Sequence, residues 1–179
     1  MAWEPVFDEL AAQRSGRLLA FATMLGGPAL AEDLVQDAVI ATFSRGRGFT
    51  NVAQAEQYVR RAIATKYIDH VRKDASQRAL EQRVAEPHTT VPDAGAGFES
   101  DVAVDAALAG LAPRVRACIA LRYIEDLSIR ETAHTLGLSE GTVKRYVADG
   151  LATLNARLGT TAPSDADLAH VTVPEGGAR

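Results

Sequence analysis

The sequence predicts an all-α protein built from two small helical domains joined by a flexible linker. Three observations predict it. Apolar residues recur at steps of three and four along almost the whole chain. No run of any length alternates polar and apolar residues as a strand would. Between Glu86 and Gly97 the periodicity stops in a stretch carrying two prolines, two glycines and two threonines.

The elements follow in order. In the first helix, from about Glu4 to Leu25, Phe7, Leu10, Ala11, Leu18, Phe21, Ala22 and Leu25 form one stripe that only Arg14 breaks. Gly26-Gly27 ends it, and Pro28 suits the first turn of the next helix, where its missing N–H costs nothing. That helix runs to about Ser44, and Arg45-Gly46-Arg47-Gly48 begins a loop. The third helix spans about Ala53 to Gln82, with Val59, Ala62, Ile63, Tyr67 and Val71 on a buried face. Arg61, Thr65, Ile68 and Arg72 follow steps of four, three and four on another face, which reads as a basic stripe. Beyond the linker, one short helix covers Val102 to Leu111 and another starts at Pro113 and runs to about Ile124. Ser128 begins the next, with Glu131 at capping-box spacing, and Gly137 stops it. Ser139 caps the last helix, which reaches about Leu158. The domain expectation is therefore 1–83, a linker at 84–100, a second domain at 101–158 and a mobile tail at 159–179.

A length of 179 residues with 47% hydrophobic and 23% charged side chains excludes whole-chain disorder. No stretch approaches the roughly 20 apolar residues of a membrane span, and the acidic start, Met1 to Leu10, lacks the features of a secretory signal. Cys118 is the only cysteine, which excludes an internal disulfide. The expected compartment is the cytoplasm, with no membrane insertion.

A net charge of −4 argues against a nucleic-acid ligand until the charges are placed along the chain. Residues 1–43 hold 2 basic and 6 acidic side chains, and residues 44–83 hold 9 and 4. Residues 84–112 hold 5 acids and no Lys or Arg, and residues 113–158 hold 7 basic and 5 acidic side chains. Such blocks make local fields matter more than the total. The basic block 44–83 suits a phosphate backbone, or else a solvated helix surface.

The strongest local pattern lies between Ser128 and Leu154. A helix-turn-helix needs a small residue where its helices cross, a glycine at the turn and an aliphatic residue early in the second helix. Ala133, Gly137 and Val143 meet those needs, with Thr132, Leu136 and Leu138 as local core. Ser139, Glu140, Gly141, Thr142, Lys144 and Arg145 then lie at the N-terminal end of the second helix, the end that enters the major groove. Lys144 and Arg145 reach phosphates or guanine edges, and Thr142 a phosphate or a thymine methyl.

Two strings carry a resemblance. Ala31-Glu-Asp-Leu-Val-Gln-Asp-Ala38 resembles the polymerase-binding helix of the extracytoplasmic-function (ECF) sigma factors, in the sigma-70 family. Tyr123 to Ala133, continuing to Gly137-Leu-Ser-Glu-Gly-Thr-Val-Lys144, resembles their region 4. The resemblance covers roughly residues 5 to 158 and implies a sigma factor that directs bacterial core RNA polymerase to promoter DNA. By that resemblance the first domain is region 2, which docks on the polymerase and melts the minus-10 element. The second is region 4, which reads the minus-35 element as duplex. Asp33, Leu34, Val35, Gln36 and Asp37 would bind the polymerase, with the two aspartates on one helix face. Phe49 to Gln57 and the helix from Tyr58 would capture single-stranded minus-10 bases, with Asn51 reading a base edge. Arg60, Arg61, Thr65, Lys66, Arg72 and Lys73 would meet the backbone there. Tyr58 reads as core beside Val59, and His70 as a surface residue. The resemblance also leaves room for an anti-sigma factor wedged between the domains.

The chain departs from the family pattern after Lys144. Arg145-Tyr146 stand where Ser-Arg is common, and Asp149-Gly150 where a further basic residue is. Asp149 would repel a phosphate it faced, and Gly150 weakens a helix by about 1 kcal/mol relative to Ala. Both point to an unusual promoter preference. Nothing suggests an enzyme: there is no phosphate-binding glycine loop, no nucleophile–base set, and the four histidines lack metal-ligand spacing. No cofactor or metal is expected, and Cys118 reads as a buried small hydrophobe. The competing functions are a stand-alone helix-turn-helix regulator and a polymerase-binding decoy.

Overall fold

The computed structural model describes residues 3–44, 46, 48–81 and 102–160. The linker at 84–100 and all but the first two residues of the tail lie outside this set. Seven helices run through the described residues: α1 (Glu4–Gly26), α2 (Pro28–Phe43), α3 (Val52–Glu81), α4 (Val102–Ala109), α5 (Pro113–Tyr123), α6 (Ile129–Leu136) and α7 (Glu140–Leu158). No strand occurs among them, as the all-α expectation requires.

Helices α1, α2 and α3 pack pairwise into one bundle. Leu10, Leu18, Phe21, Ala22 and Leu25 of α1 are buried against Ala31, Leu34 and Ala38 of α2 and Ala55, Val59 and Ile63 of α3. Gly27 separates α1 from α2 at φ 78°, a value that favours glycine, and Pro28 starts the next helix at once. Arg14, which breaks the apolar stripe of α1, lies 3.4 Å from the buried Glu56 of α3. The break is thus an ion pair between helices.

In the second bundle, α4, α5 and α6 each pack on α7. Ala117, Cys118, Ala120 and Leu121 of α5 are fully buried, as is Val143 of α7. Gly150 is buried too, and a Cβ there would lie 2.8 Å from Ile119 Cγ1 and 2.9 Å from Val115 Cγ1. The sequence reading treats this glycine as a weak point on a DNA-facing helix. It also marks a close approach of α5 and α7.

A larger amendment concerns the space between the bundles. They are not bodies joined by a tether alone: α3 touches α5 and α6, α1 touches α4 and α5, and their buried residues form one continuous cluster. The face of α3 read as a basic stripe carries Ile68, and Ile68 is as buried as its neighbour Tyr67. Leaving one such side chain in water costs about 1.5–3 kcal/mol, so a buried residue interrupts the stripe between Thr65 and the exposed Arg72. Arg116 of α5 adds a polar tie. Its Nη1 donates to the Leu25 carbonyl near the end of α1, and its Nη2 to the carbonyls of Ala109, the last residue of α4, and Leu111 just beyond it. These are helix-end carbonyls that need partners.

The close approach at Gly150 sets up a test. Gly150→Ala gains about 1 kcal/mol of helix propensity but overpacks two branched side chains at about 1–3 kcal/mol. The expected net loss of about 1 kcal/mol lowers Tm by roughly 2–4 °C. A thermal melt in which Tm rises, as propensity alone demands, refutes this account.

Candidate nucleic-acid and protein interfaces

The α2 string divides between inside and outside. Asp33, Gln36 and Asp37 are exposed, Val35 is half-buried, and Leu34 points into the core at 3% exposure. Leu34 therefore holds the helix in place and leaves the contact face to its polar neighbours. That face forms one wall of an open groove of about 500 Å³ whose other wall is α3. Asp33 and Asp37 line the first wall, and Lys66, Arg72 and Lys73 the second. The residues expected to meet polymerase and some of those expected to meet DNA share this groove.

The loop before α3 is held at both ends. Phe49 sits between Phe43 (ring centroids 5.3 Å apart) and Tyr58 (5.5 Å), extending an aromatic chain that includes Phe7 and Trp3. Half-buried Tyr58 supports the loop from below. Asn51 caps α3: its Oδ1 accepts from the Gln54 amide at 2.9 Å. Gln54 Oε1 in turn accepts from the Thr50 amide at 2.8 Å. The Asn51 oxygen thus serves the start of α3.

Along α3 the expected cations part ways. Arg72 and Lys73 are exposed, and Lys66 is half-buried in the groove wall. Arg60 is not a free cation. Its Nη2 donates to Glu56 at 2.9 Å, and its Nη1 donates across the bundles to Glu125, also at 2.9 Å. Its guanidinium lies 5.6 Å over the Phe21 ring. Arg61 is half-buried against Tyr58. Thr65 Oγ1 donates to the Arg61 carbonyl at 3.1 Å and reaches the Thr135 carbonyl of α6 at 3.4 Å. Arg60, Arg61 and Thr65 thus belong to the seam between the bundles in this structure, where the sequence reading has them facing nucleic acid. His70 is half-exposed, 3.3 Å from Asp74.

Glu125 was not found by sequence reasoning. It sits in the turn between α5 and α6, its side chain 2% exposed. Burial pushes its carboxyl above the usual carboxylate range, and Arg60 pulls it the other way. The signal that could have found this network is Glu56, a charged residue in the apolar phase of α3 between Val52 and Val59, whose burial demands a partner.

The helix-turn-helix has the geometry its residues require. Ala133 is buried at the crossing, Gly137 turns the chain at φ 62° and ψ 40°, and Val143 is fully buried. The Leu138 amide donates to the Ala133 carbonyl at 2.9 Å, closing the turn. Ser128 and Glu131 form a reciprocal capping box. Ser139 accepts from the Thr142 amide at 3.1 Å and lies 2.8 Å from the Thr142 hydroxyl, so both hydroxyls are tied to the helix start. Glu140, Gly141, Lys144, Arg145 and Asp149 are exposed, with Arg145 over the Tyr146 ring. Asp149 shares the outward face with Arg145 one turn earlier. Cys118 is fully buried, and burial pushes its thiol up to about 12, which leaves it unreactive.

Residues 101–154 match the family model described as Sigma-70, region 4. The RNA polymerase sigma-E factor of Streptomyces avermitilis is 34% identical over 158 residues, covering 85% of this chain and 84% of that one. The ECF RNA polymerase sigma factor SigM of Mycobacterium tuberculosis is 30% identical over 129 residues, 72% of this chain and 64% of that one. Among solved structures, the sigma factor RpoE in complex with the anti-sigma factor NepR from Bartonella quintana has a TM-score of 0.60 at 22% identity, covering 87% of this chain and 97% of that one.

The capping box makes the second bundle sensitive to acid. Hydrogen bonds from the Ser128 amide and hydroxyl hold the Glu131 carboxyl below its ordinary value. A lowered pKa in the folded state means stability present above the unfolded value, about 4.3, and lost as pH falls through the folded one. Glu131→Gln keeps a capping side chain and removes the titration. Melts between neutral and acid pH should therefore show a shallower acid loss in Glu131→Gln than in the wild type; identical pH profiles would contradict the assignment.

Proposed function

The chain belongs to the ECF RNA polymerase sigma factors of the sigma-70 family, and on that premise we propose how its residues divide the work of promoter-specific initiation. The first bundle docks on core polymerase through Asp33, Gln36 and Asp37, with Val35 at the edge of the contact. The exposed carboxylates on one face of α2 suit a basic partner surface. Lys66, Arg72 and Lys73 bind the backbone of the separated minus-10 strand, and the loop at Asn51 offers an amide to a captured base. Arg60, Arg61 and Thr65 join them once uncovered. The second bundle reads the minus-35 duplex through Lys144, Arg145 and Thr142 at the start of α7. There Ser139 orders the helix end, and the exposed Glu140 and Gly141 border the groove. The division is residues 1–83 as region 2 and 101–158 as region 4. The phosphodiester chemistry belongs to the polymerase, so this chain needs no catalytic residue or cofactor, and its work is cytoplasmic. An anti-sigma partner belongs to the same proposal, since the solved neighbour has one.

The observation that carries the reading is the pairing, in one chain, of an exposed acidic α2 face with a capped helix-turn-helix whose Lys144 and Arg145 point outward. Run-off transcription tests it. Core polymerase should gain specific start sites only when this chain is added. Operator binding without polymerase would indicate a stand-alone regulator, and polymerase binding without a new transcript a decoy.

Two substitutions refine the assignment. Asp33→Ala with Asp37→Ala should weaken core-polymerase affinity by about 1–2 kcal/mol, roughly 5- to 30-fold in Kd, with helix content intact. Lys144→Ala with Arg145→Ala should reduce minus-35-dependent transcription and lower the salt slope of duplex binding by about 1 for each phosphate left without its cation. An unaffected promoter series would remove these two residues from the site.

A further inference from the structure

Asp149 is an outward-facing residue of α7 that local structure does not explain. It stands mid-helix, where an acid gains nothing from the helix dipole, and aspartate is among the weaker helix formers. Glu140, the other acid of α7, sits in the first turn, where the dipole favours it. Among the described residues the Asp149 carbonyl accepts from Thr153 Oγ1 at 2.8 Å, while its carboxylate enters no ion pair. Arg145, one turn earlier, lies over the Tyr146 ring at 5.3 Å instead. The surface around the carboxylate is low: Gly141, Ala148 and Ala152 are exposed with it and carry nothing larger than a methyl group.

We infer that Asp149 is a base-reading residue, which selects a cytosine in the duplex that α7 engages. A duplex offers two chemistries to the outward face of α7. Phosphate oxygens repel a carboxylate, so an Asp149 beside the backbone would only weaken binding. In the major groove the cytosine N4 amino group is a donor, and a carboxylate accepts from it. Adenine N6 is a donor too, but the N7 lone pair beside it repels the charge. An amide, which donates to N7 while accepting from N6, suits adenine instead. The low surface at Gly141, Ala148 and Ala152 lets the helix approach closely enough for a side chain as short as aspartate. Four residues of helix rise by about 6 Å, and stacked bases lie about 3.4 Å apart. With Arg145 on a guanine, Asp149 meets a cytosine one or two base pairs away.

The inference rests on the proposed role of α7, and its test reads the two separately. The full chain, alone and with core polymerase, is mixed with a library of duplexes randomised over one helical turn, and the bound DNA is sequenced. Run-off transcription from the recovered duplexes reports on the proposed function. The wild type should favour cytosine by about 5- to 30-fold at one position, one or two pairs from a favoured guanine. Asp149→Ala should abolish that preference and leave the guanine in place. Asp149→Asn should move the preference to adenine, a change that a merely structural role would not produce. Circular dichroism confirms that each variant keeps its helices. An acid that only repels the backbone gives another result: Asp149→Ala then raises binding of every sequence alike, and Asp149→Asn shifts no base. That result overturns the inference, as does a wild type that enriches no cytosine with or without polymerase. A cytosine preference that follows residue 149 in duplexes yielding no transcript sinks the proposed function and leaves this assignment standing.

Discussion

Arg60 lies between two carboxylates that come from different bundles, and the relation of those bundles depends on how that charge is balanced. Glu56 comes from the same helix, Glu125 from the turn before the helix-turn-helix, and Arg14 of α1 completes a set of two cations and two anions. Removing Arg60 would leave the desolvated Glu125 without its ion-pair partner, a far larger cost than the pair is worth when intact. Buried ion pairs of this kind add little net stability but fix one arrangement among many. The packing of α3 on α5 and α6 supplies adhesion, and the charges supply its register.

The second bundle is built for rigidity at its working end. Gly137 makes the turn in the left-handed region, Ser128 and Glu131 close one helix start, and Ser139 closes the next. Each cap removes an orphan amide that would otherwise let the first turn fray. The result is a start of α7 whose backbone is pinned while its long side chains stay free. The first bundle handles its loop by a different device, a wedge of aromatic rings from Trp3 to Tyr58 with Asn51 and Gln54 locking the entry to α3.

Helix boundaries were legible in the sequence to within a residue or two, because prolines at 28 and 113, serines at 128 and 139 and glycines at 27, 137 and 159 act through local chemistry. The helix-turn-helix was legible for the same reason: Ala133, Gly137 and Val143 are fixed by contacts within one short segment. The seam was not. Which side chains of α3 the second bundle covers depends on residues more than thirty positions away, across a stretch without periodicity. The contacts of Arg60 with Glu125 and of Thr65 with Thr135 were hidden on that account, and the cap made by Asn51 because its oxygen serves a helix end. Gly150 was misread because propensity is a property of one helix, whereas its role is set by α5.

Along α7 the residues that hold the helix and those exposed to solvent form separate sets. Val143, Val147 and Gly150 face inward, and Gly141, Lys144, Arg145 and Asp149 face outward. Selection can therefore rewrite the outward set without touching foldability. If α7 reads promoter DNA as proposed, descendants of one gene that diverge only there would inherit an intact scaffold and a new regulatory address.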